Sequence, residues 1–166
     1  MRIDSFTQKT RQTGFTLVEL MAVVSVLSIV LALAAPSFTA FSASQRLRGA
    51  STDLVMTLLS ARSEAIKRNA QVTVTAAMVG GSANWGRGWT ATAPGGLQID
   101  RKEVSAGFIE GSVEPATIVF DGTGRITTAG GVRIQLTDGG GHAEVAPRCI
   151  SIDLSGRPQT SVGACS

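Results

Sequence analysis

Tyrosine is absent from this 166-residue chain, and histidine occurs once, cysteine twice and tryptophan twice. These scarcities exclude most chemistry. His142 sits in a glycine-rich stretch with Asp138 and Glu144 nearby, and no second His or Cys is close enough in sequence to complete a metal set. Cys-x-x-Cys, Gly-x-Ser-x-Gly and phosphate-cradling motifs are all missing. No catalytic residue, cofactor or metal is therefore expected, and the chain reads as a non-enzyme. Charge is scarce in one place above all. From Phe15 to Ala35, 21 residues, the single ionisable side chain is Glu19.

That stretch is about 31 Å long as a helix, which matches the hydrocarbon core of a bilayer. Arg2, Lys9 and Arg11 precede it against Asp4, so the N-terminus should stay cytoplasmic and the bulk should cross. A carboxylate one turn inside such a span costs several kcal/mol unless it has a partner. Cutting the chain after Gly14 would supply one, because Phe15 would gain an ammonium within reach of Glu19, four residues on. Ala32-Leu33-Ala34 also fits the A-x-A site of a secretory signal. Glu19 argues against that alternative, since a plain signal peptide has no use for it. Pro36 ends the stretch and is expected to mark a bend.

The formal net charge is +3 and the sequence pI about 9.4. Residues 1–14 hold three cations and one anion, so cleavage leaves side chains summing to +1. The basic pI is thus poor evidence for nucleic-acid binding.

Beyond Pro36, a second helical stretch is expected over residues 37–70. Leu47, Leu54, Leu58, Ala61 and Ala65 line one face, while Arg46, Arg48, Arg62, Lys67 and Arg68 lie mostly off it. Glu64 and Arg68 form an i,i+4 pair. From Gln71 the period becomes two, with Val72, Val74 and Ala76 alternating with threonines. Further strands are expected at Gly88–Ala93, Leu97–Arg101, Thr117–Phe120, Val132–Thr137 and Arg148–Leu154. Glycine-bearing turns such as Gly80-Gly81 and Asp121-Gly122 separate them. The layout is α+β, a helix packed across an antiparallel sheet. If the β-rich part is exported, Cys149 and Cys165 are expected to pair, closing a ring of about 17 residues worth roughly 3 kcal/mol by chain-entropy reasoning.

The run Gly14-Phe15-Thr16-Leu17-Val18-Glu19-Leu20, with its basic leader, apolar stretch and Pro36, resembles the type III signal of type IV pilins and type II secretion pseudopilins. The resemblance implies cleavage by prepilin peptidase between Gly14 and Phe15, N-methylation of Phe15, and use of Glu19 in filament assembly. It divides the chain into a leader (1–14), a transmembrane and filament-core helix (15–36), an amphipathic helical half (37–70) and a β-rich periplasmic head (71–166). Ala61-Arg62-Ser63-Glu64-Ala65 through Asn69, then Val72-Thr73-Val74, is similar to the minor pilins FimT and FimU and the pseudopilin GspH. So are Trp85-Gly86-Arg87-Gly88-Trp89, read as a hairpin, and the repeats Phe120-Asp121-Gly122-Thr123-Gly124-Arg125-Ile126 and Ile152-Asp153-Leu154-Ser155-Gly156-Arg157.

The resemblance implies a minor pilin that starts or caps a type IV pilus. Its partners would be other minor and major pilins, and it would sit in the inner membrane before reaching the pilus tip. One alternative is a type II secretion pseudopilin. Another is a competence pilin binding DNA through a Gly-Arg-x-Arg tail. Here that tail reads Gly156-Arg157-Pro158-Gln159, so Arg157, with Arg148 if the disulfide brings it near, would hold DNA weakly. The first prediction is direct. Intact-mass and N-terminal peptide analysis of the mature protein should find N-methylated Phe15 as the first residue; any other start contradicts the reading.

Overall fold

A computed structural model describes residues 14–104, 107–112, 114–128 and 131–166, without the side chains of residues 34–36. Leader residues 1–13 and the side chain of Pro36, with the bend expected there, lie outside the described set. Helix α1 (Leu17–Arg68) begins at a Thr16 N-cap. The Thr16 hydroxyl accepts the Glu19 N–H at 3.2 Å and the Thr16 carbonyl accepts the Leu20 N–H at 3.1 Å. A Thr at N-cap with Glu at N3 satisfies donors that would otherwise be orphaned, and the helix dipole favours an acid there.

The chain forms two compact units, residues 1–37 and 38–166. In the first, large apolar side chains bury little within the chain: exposure runs from 53% at Val24 of α1 to 82% at Phe15 just before it. Its serine hydroxyls are internally satisfied, with Ser25 and Ser28 donating to the Met21 and Val24 carbonyls at 2.8 Å. Such a helix suits an apolar environment. Among the described residues no single unbroken helix is long and apolar enough to cross a membrane. Leu17–Leu33 and Ser37–Arg68 taken together are, by length and composition.

In the second unit the helical stripe expected from the sequence is buried. Leu47, Leu54, Leu58, Ala61 and Ala65 are at most 1% exposed, and Ala40, Ala43 and Ala50 extend the line. The alanines among the leucines let the helix sit close to the strands. Asn69 (φ 47) ends α1 in the left-handed region. The Ala70 N–H bonds the Ala65 carbonyl and the Asn69 N–H the Ile66 carbonyl, a Schellman closure that turns the chain into β1.

Among the described residues eight strands follow: β1 (Val72–Val79), β2 (Ser82–Ala93), β3 (Leu97–Glu103), β4 (Ile109–Gly111), β5 (Thr117–Phe120), β6 (Val132–Asp138), β7 (Arg148–Ile152) and β8 (Pro158–Val162). They form two antiparallel sheets, ordered β3-β2-β1-β5 and β4-β6-β7-β8, where one sheet was expected. Val72, Val74, Ile118 and Phe120 of the first sheet and Val132, Ile134, Ile150 and Ile152 of the second share one core with the α1 stripe.

The expected tryptophan hairpin is instead the middle of β2, and the turn falls at Gly80-Gly81. The β1–β2 register jumps from Ala76↔Trp89 to Ala77↔Asn84, so Trp85–Gly88 bulge from the ladder. The bulge joins the sheets. The Asn84 Oδ1 accepts N–H bonds from Gly86 (2.8 Å) and Gly111 of β4 (3.0 Å). A Cβ on Gly86 would lie 2.5 Å from the Glu110 carbonyl carbon, and one on Gly111 would lie 2.2 Å from the Gly86 nitrogen. Both tryptophans are buried, as expected for packing residues. Their indole N–H groups donate to the Pro115 carbonyl (2.8 Å) and the Thr57 hydroxyl (3.0 Å), and Thr57 in turn donates to Asp100.

This seam predicts opposite outcomes for two alanine substitutions. Gly86→Ala should destabilise the protein by about 2–3 kcal/mol, since backbone rather than a flexible side chain blocks the new methyl. Gly49→Ala, at a helical position with nothing within 4 Å of the new Cβ, should stabilise it by about 0.5–1 kcal/mol. Denaturant unfolding of the detergent-solubilised full chain, followed by tryptophan fluorescence, would show both shifts.

Candidate functional site

Two places concentrate features that packing alone does not explain. The first is the start of α1. Gly14 precedes the helix with no neighbouring atom within 4 Å of where a Cβ would stand, and Phe15 is 82% exposed, so the bond between them lies in the open. Glu19 is exposed in the first turn and has no cationic partner among the described residues. Its neighbour Thr16 does not stand out in the sequence, although Thr-x-x-Glu before an apolar run is a recognised helix start.

The second place is a pair of stacked turns, one after β5 and one after β7. In each, an aspartate closes the loop. Asp121 Oδ1 accepts from the Thr123 hydroxyl (2.6 Å), the Thr123 N–H (2.8 Å) and the Arg125 N–H (3.0 Å). Asp153 Oδ1 accepts from the Ser155 hydroxyl (2.6 Å) and the Arg157 N–H (3.1 Å). Gly124 and Gly156 both take φ 78. A Cβ on Gly156 would lie 2.1 Å from the Gly124 carbonyl oxygen, so the second turn rests directly on the first. Arg62 of α1 closes the stack, its Nε donating to that same carbonyl at 2.9 Å. The two Gly-Arg repeats seen in the sequence are thus one unit, and Arg125 and Arg157 project from it, both exposed.

Beside the second turn lies an open groove of about 560 Å³, lined by Arg133, Ser151, Asp153, Arg157 and Gln159 among others. Arg148 is not part of it. The β7–β8 register pairs Arg148 with Val162 and Ile152 with Pro158, which puts Arg148 at the opposite end of the hairpin from Arg157, about 13 Å along the strand. The expectation that the disulfide would bring these arginines together fails for that reason. Arg133, one strand over, takes the place assigned to Arg148; its alternation with Val132 and Ile134 in β6 was the available signal.

Cys149 and Cys165 are joined, fixing the C-terminal tail to β7. A lone histidine in a glycine-rich loop is expected to be merely solvated, and at His142 the structure corrects that. Its ring Nδ1 lies 2.8 Å from Asp138 Oδ2 and its backbone N–H donates to the same oxygen at 3.0 Å, clamping the β6–β7 loop. Among the described residues no group of three or more His, Cys, Asp or Glu side chains is placed to hold a metal ion.

A helix that buries one face on antiparallel sheets in one unit and bares its apolar surface in the other, behind a Gly-Phe bond with an unpaired glutamate, defines a pilin-like subunit. Residues 50–156 match the family described as type II transport protein GspH, and residues 9–35 match the prokaryotic N-terminal methylation motif. The chain belongs to this GspH family. Its fold is similar to the type IV minor pilin FimU of Pseudomonas aeruginosa, seen in two crystal forms. The first aligns with TM-score 0.59 and 20% identity over 73% of this chain and 92% of FimU; the second with 0.56 and 21% over 69% and 92%. No curated protein matches the chain in sequence.

The turn aspartates carry a pH signature. The Thr123 hydroxyl and the Arg125 N–H hold the Asp121 carboxyl below its usual range, and the Ser155 hydroxyl and the Arg157 N–H do the same for Asp153. At Asp138, burial pushes upward, but hydrogen bonds from His142 and Gly140 outweigh it and the carboxyl is again lowered. A carboxylate lowered in the folded state stabilises it fully above the unfolded pKa of about 3.9 and loses that stabilisation as pH falls through the folded value. Thermal unfolding should therefore be flat down to about pH 5 and fall steeply below about pH 4. The double variant Asp121→Asn, Asp153→Asn should be less stable at pH 7 and show a shallower acid decline.

Proposed function

We propose that the chain is a minor pilin, a low-abundance subunit that helps to start or cap a type IV pilus. The observation that carries this reading is the start of α1: an exposed Gly14–Phe15 bond, a bare apolar helix behind it, and a single carboxylate, Glu19, with no partner of its own among the described residues. Prepilin peptidase would remove the leader and methylate Phe15. The subunit would then wait in the inner membrane, spanning it once with its β-rich head in the periplasm.

Assembly follows from electrostatics in a low-dielectric medium. Glu19 pairs with the methylated amine of a neighbouring Phe15, which offsets the desolvation of both charges and sets axial register as the subunit leaves the bilayer. The bare helical face is then covered by helices of other minor and major pilins rather than by lipid. The subunit is structural, and it needs no enzymatic group. Likeness to FimU and a disulfide near the chain end favour a pilus over the type II secretion pseudopilus that the family's description also allows. DNA uptake is less well supported. Only Arg157 of a Gly-Arg-x-Arg tail is present, Pro158 lacks a backbone donor, and Arg148 lies away from it. Two or three phosphate contacts give weak, salt-sensitive binding.

The test is Glu19→Ala in the native host. Cleavage and membrane retention should persist, while the share recovered in sheared pili should fall by about tenfold or more, the scale expected when one charge of a desolvated pair is left alone. Undiminished recovery would contradict the mechanism.

A further inference from the structure

The head has four sheet edges, and three of them are protected. Edge strand β3 carries Asp100, Arg101, Lys102 and Glu103, with Lys102 paired to Asp53 at 2.6 Å and Arg101 to Glu103 at 2.6 Å. Edge strand β5 is covered by the chain that follows it, through the Phe120↔Ile126 bridge and the bond from the Thr127 N–H to the Val119 carbonyl. Edge strand β4 is three residues long and is tied to β2 through Asn84. Charge, cover and shortness are the usual ways of keeping an edge from pairing with another chain. The fourth edge has none of them beyond one proline.

That edge is β8, Pro158-Gln159-Thr160-Ser161-Val162, five residues without a charge, of which Gln159 to Val162 are exposed. The Gly163 N–H donates to the Pro147 carbonyl at 2.8 Å. Bonded residues alternate along an antiparallel ladder, so Gln159 and Ser161 face β7, while Thr160 and Val162 direct N–H and C=O outward. The strand is held ready for a partner. The Cys149–Cys165 disulfide anchors the tail that follows it, and the Cys165 N–H donates to the Gln135 side-chain oxygen at 3.1 Å. Val162 is 64% exposed, an apolar side chain that a neighbouring strand would cover.

Charge indicates what that partner carries. At the Pro158 end, the edge adjoins the groove containing Arg133 and Arg157, neither of which has a carboxylate partner among the described residues. The one carboxylate lining the groove, Asp153, is engaged within its own turn by the Ser155 hydroxyl and the Arg157 N–H. An incoming segment with an Asp or Glu beside this groove would meet two unpaired guanidinium groups, which suit carboxylates by their planar fork. Nucleic acid could use the arginines but not the outward row of alternating amide donors and acceptors, which complements only another polypeptide strand.

We infer that β8 takes an added strand, an extended, carboxylate-bearing segment of a different subunit of the same filament. This deepens the minor-pilin reading and rests on it. The disulfide then has a purpose beyond stability, since it keeps the accepting strand from peeling away with the C-terminal tail.

The experiment uses the full-length chain in its native host, with a photo-crosslinking benzoylphenylalanine placed singly at three exposed positions. Thr160 probes the open edge, Arg101 the guarded edge, and Met56 the outer face of α1. Expected are adducts at Thr160 with one other pilus subunit, mapping to an extended segment that contains Asp or Glu, and few at Arg101. The Thr160 yield should fall about a hundredfold when Arg133 and Arg157 are both changed to Glu, since each lost charge-assisted bond is worth about a factor of ten. Val162→Pro, which removes an outward donor, should lower it too. Adducts with DNA or with a second copy of this chain would overturn the inference. So would an absence of Thr160 adducts while Met56 still captures pilus subunits. Absence at both positions would strike the minor-pilin reading itself, and the inference would fall with it.

Discussion

A single 52-residue helix has to satisfy two surroundings, and most of the structure follows from that constraint. From Ala40 to Ala65 one face is sealed against the sheets by leucines and alanines. From Leu17 to Leu33 nothing in the described chain covers the side chains. Burial of apolar area is worth about 25 cal/mol per Å², so a bare apolar stretch of this length will not remain in water. Lipid or other helices must take it. The N-cap at Thr16 and the hydroxyl back-bonds of Ser25 and Ser28 make it fit for such surroundings by leaving few unsatisfied polar groups. Glu19 is the exception, and an unpaired carboxylate in that setting is best understood as half of an interaction completed by another molecule.

The head solves a different problem, that of joining two sheets and a helix with few aromatic residues. Close backbone approach replaces bulk. Gly86 against Gly111 closes one seam, and Gly156 on Gly124 under Arg62 closes the other. Both seams leave no room for a side chain, so the glycine richness of the sequence reflects contact as much as turning. The two buried tryptophans are the largest side chains of the core, each tied by its indole N–H.

Much of this is legible in the sequence. The helical stripe shows because a 3.6-residue period is local, and the N-terminal arrangement shows because one charge in an apolar run is conspicuous. Thr117–Phe120 forms the strand expected from its unbroken β-branched and aromatic run. What sequence reasoning misses is non-local. Strand β8 has neither alternation nor many β-formers, and it is a strand because the disulfide and the Asp153 turn fold it back on β7. The tryptophan segment looks like a turn because its glycines suggest one, whereas they permit a bulge and a backbone contact with β4. Arg148 is misplaced because a disulfide states which cysteines meet, not which end of a hairpin a neighbour occupies. The pairing of His142 with Asp138 is missed because it exists only once the Gly139-Gly140-Gly141 loop curls back.

The central claim is that other subunits cover the bare half of α1. It can be tested by one cysteine, because both native cysteines are already paired. With Leu27→Cys as the sole free thiol in the described chain, sheared pili from a host in which a major pilin carries a cysteine at the matching helical position should be oxidised and run without reductant. The account predicts a disulfide-linked band containing both subunits in pili, absent from Glu19→Ala cells. A Leu27→Cys chain that stays uncrosslinked and confined to the membrane fraction, in cells that make normal pili, would contradict it.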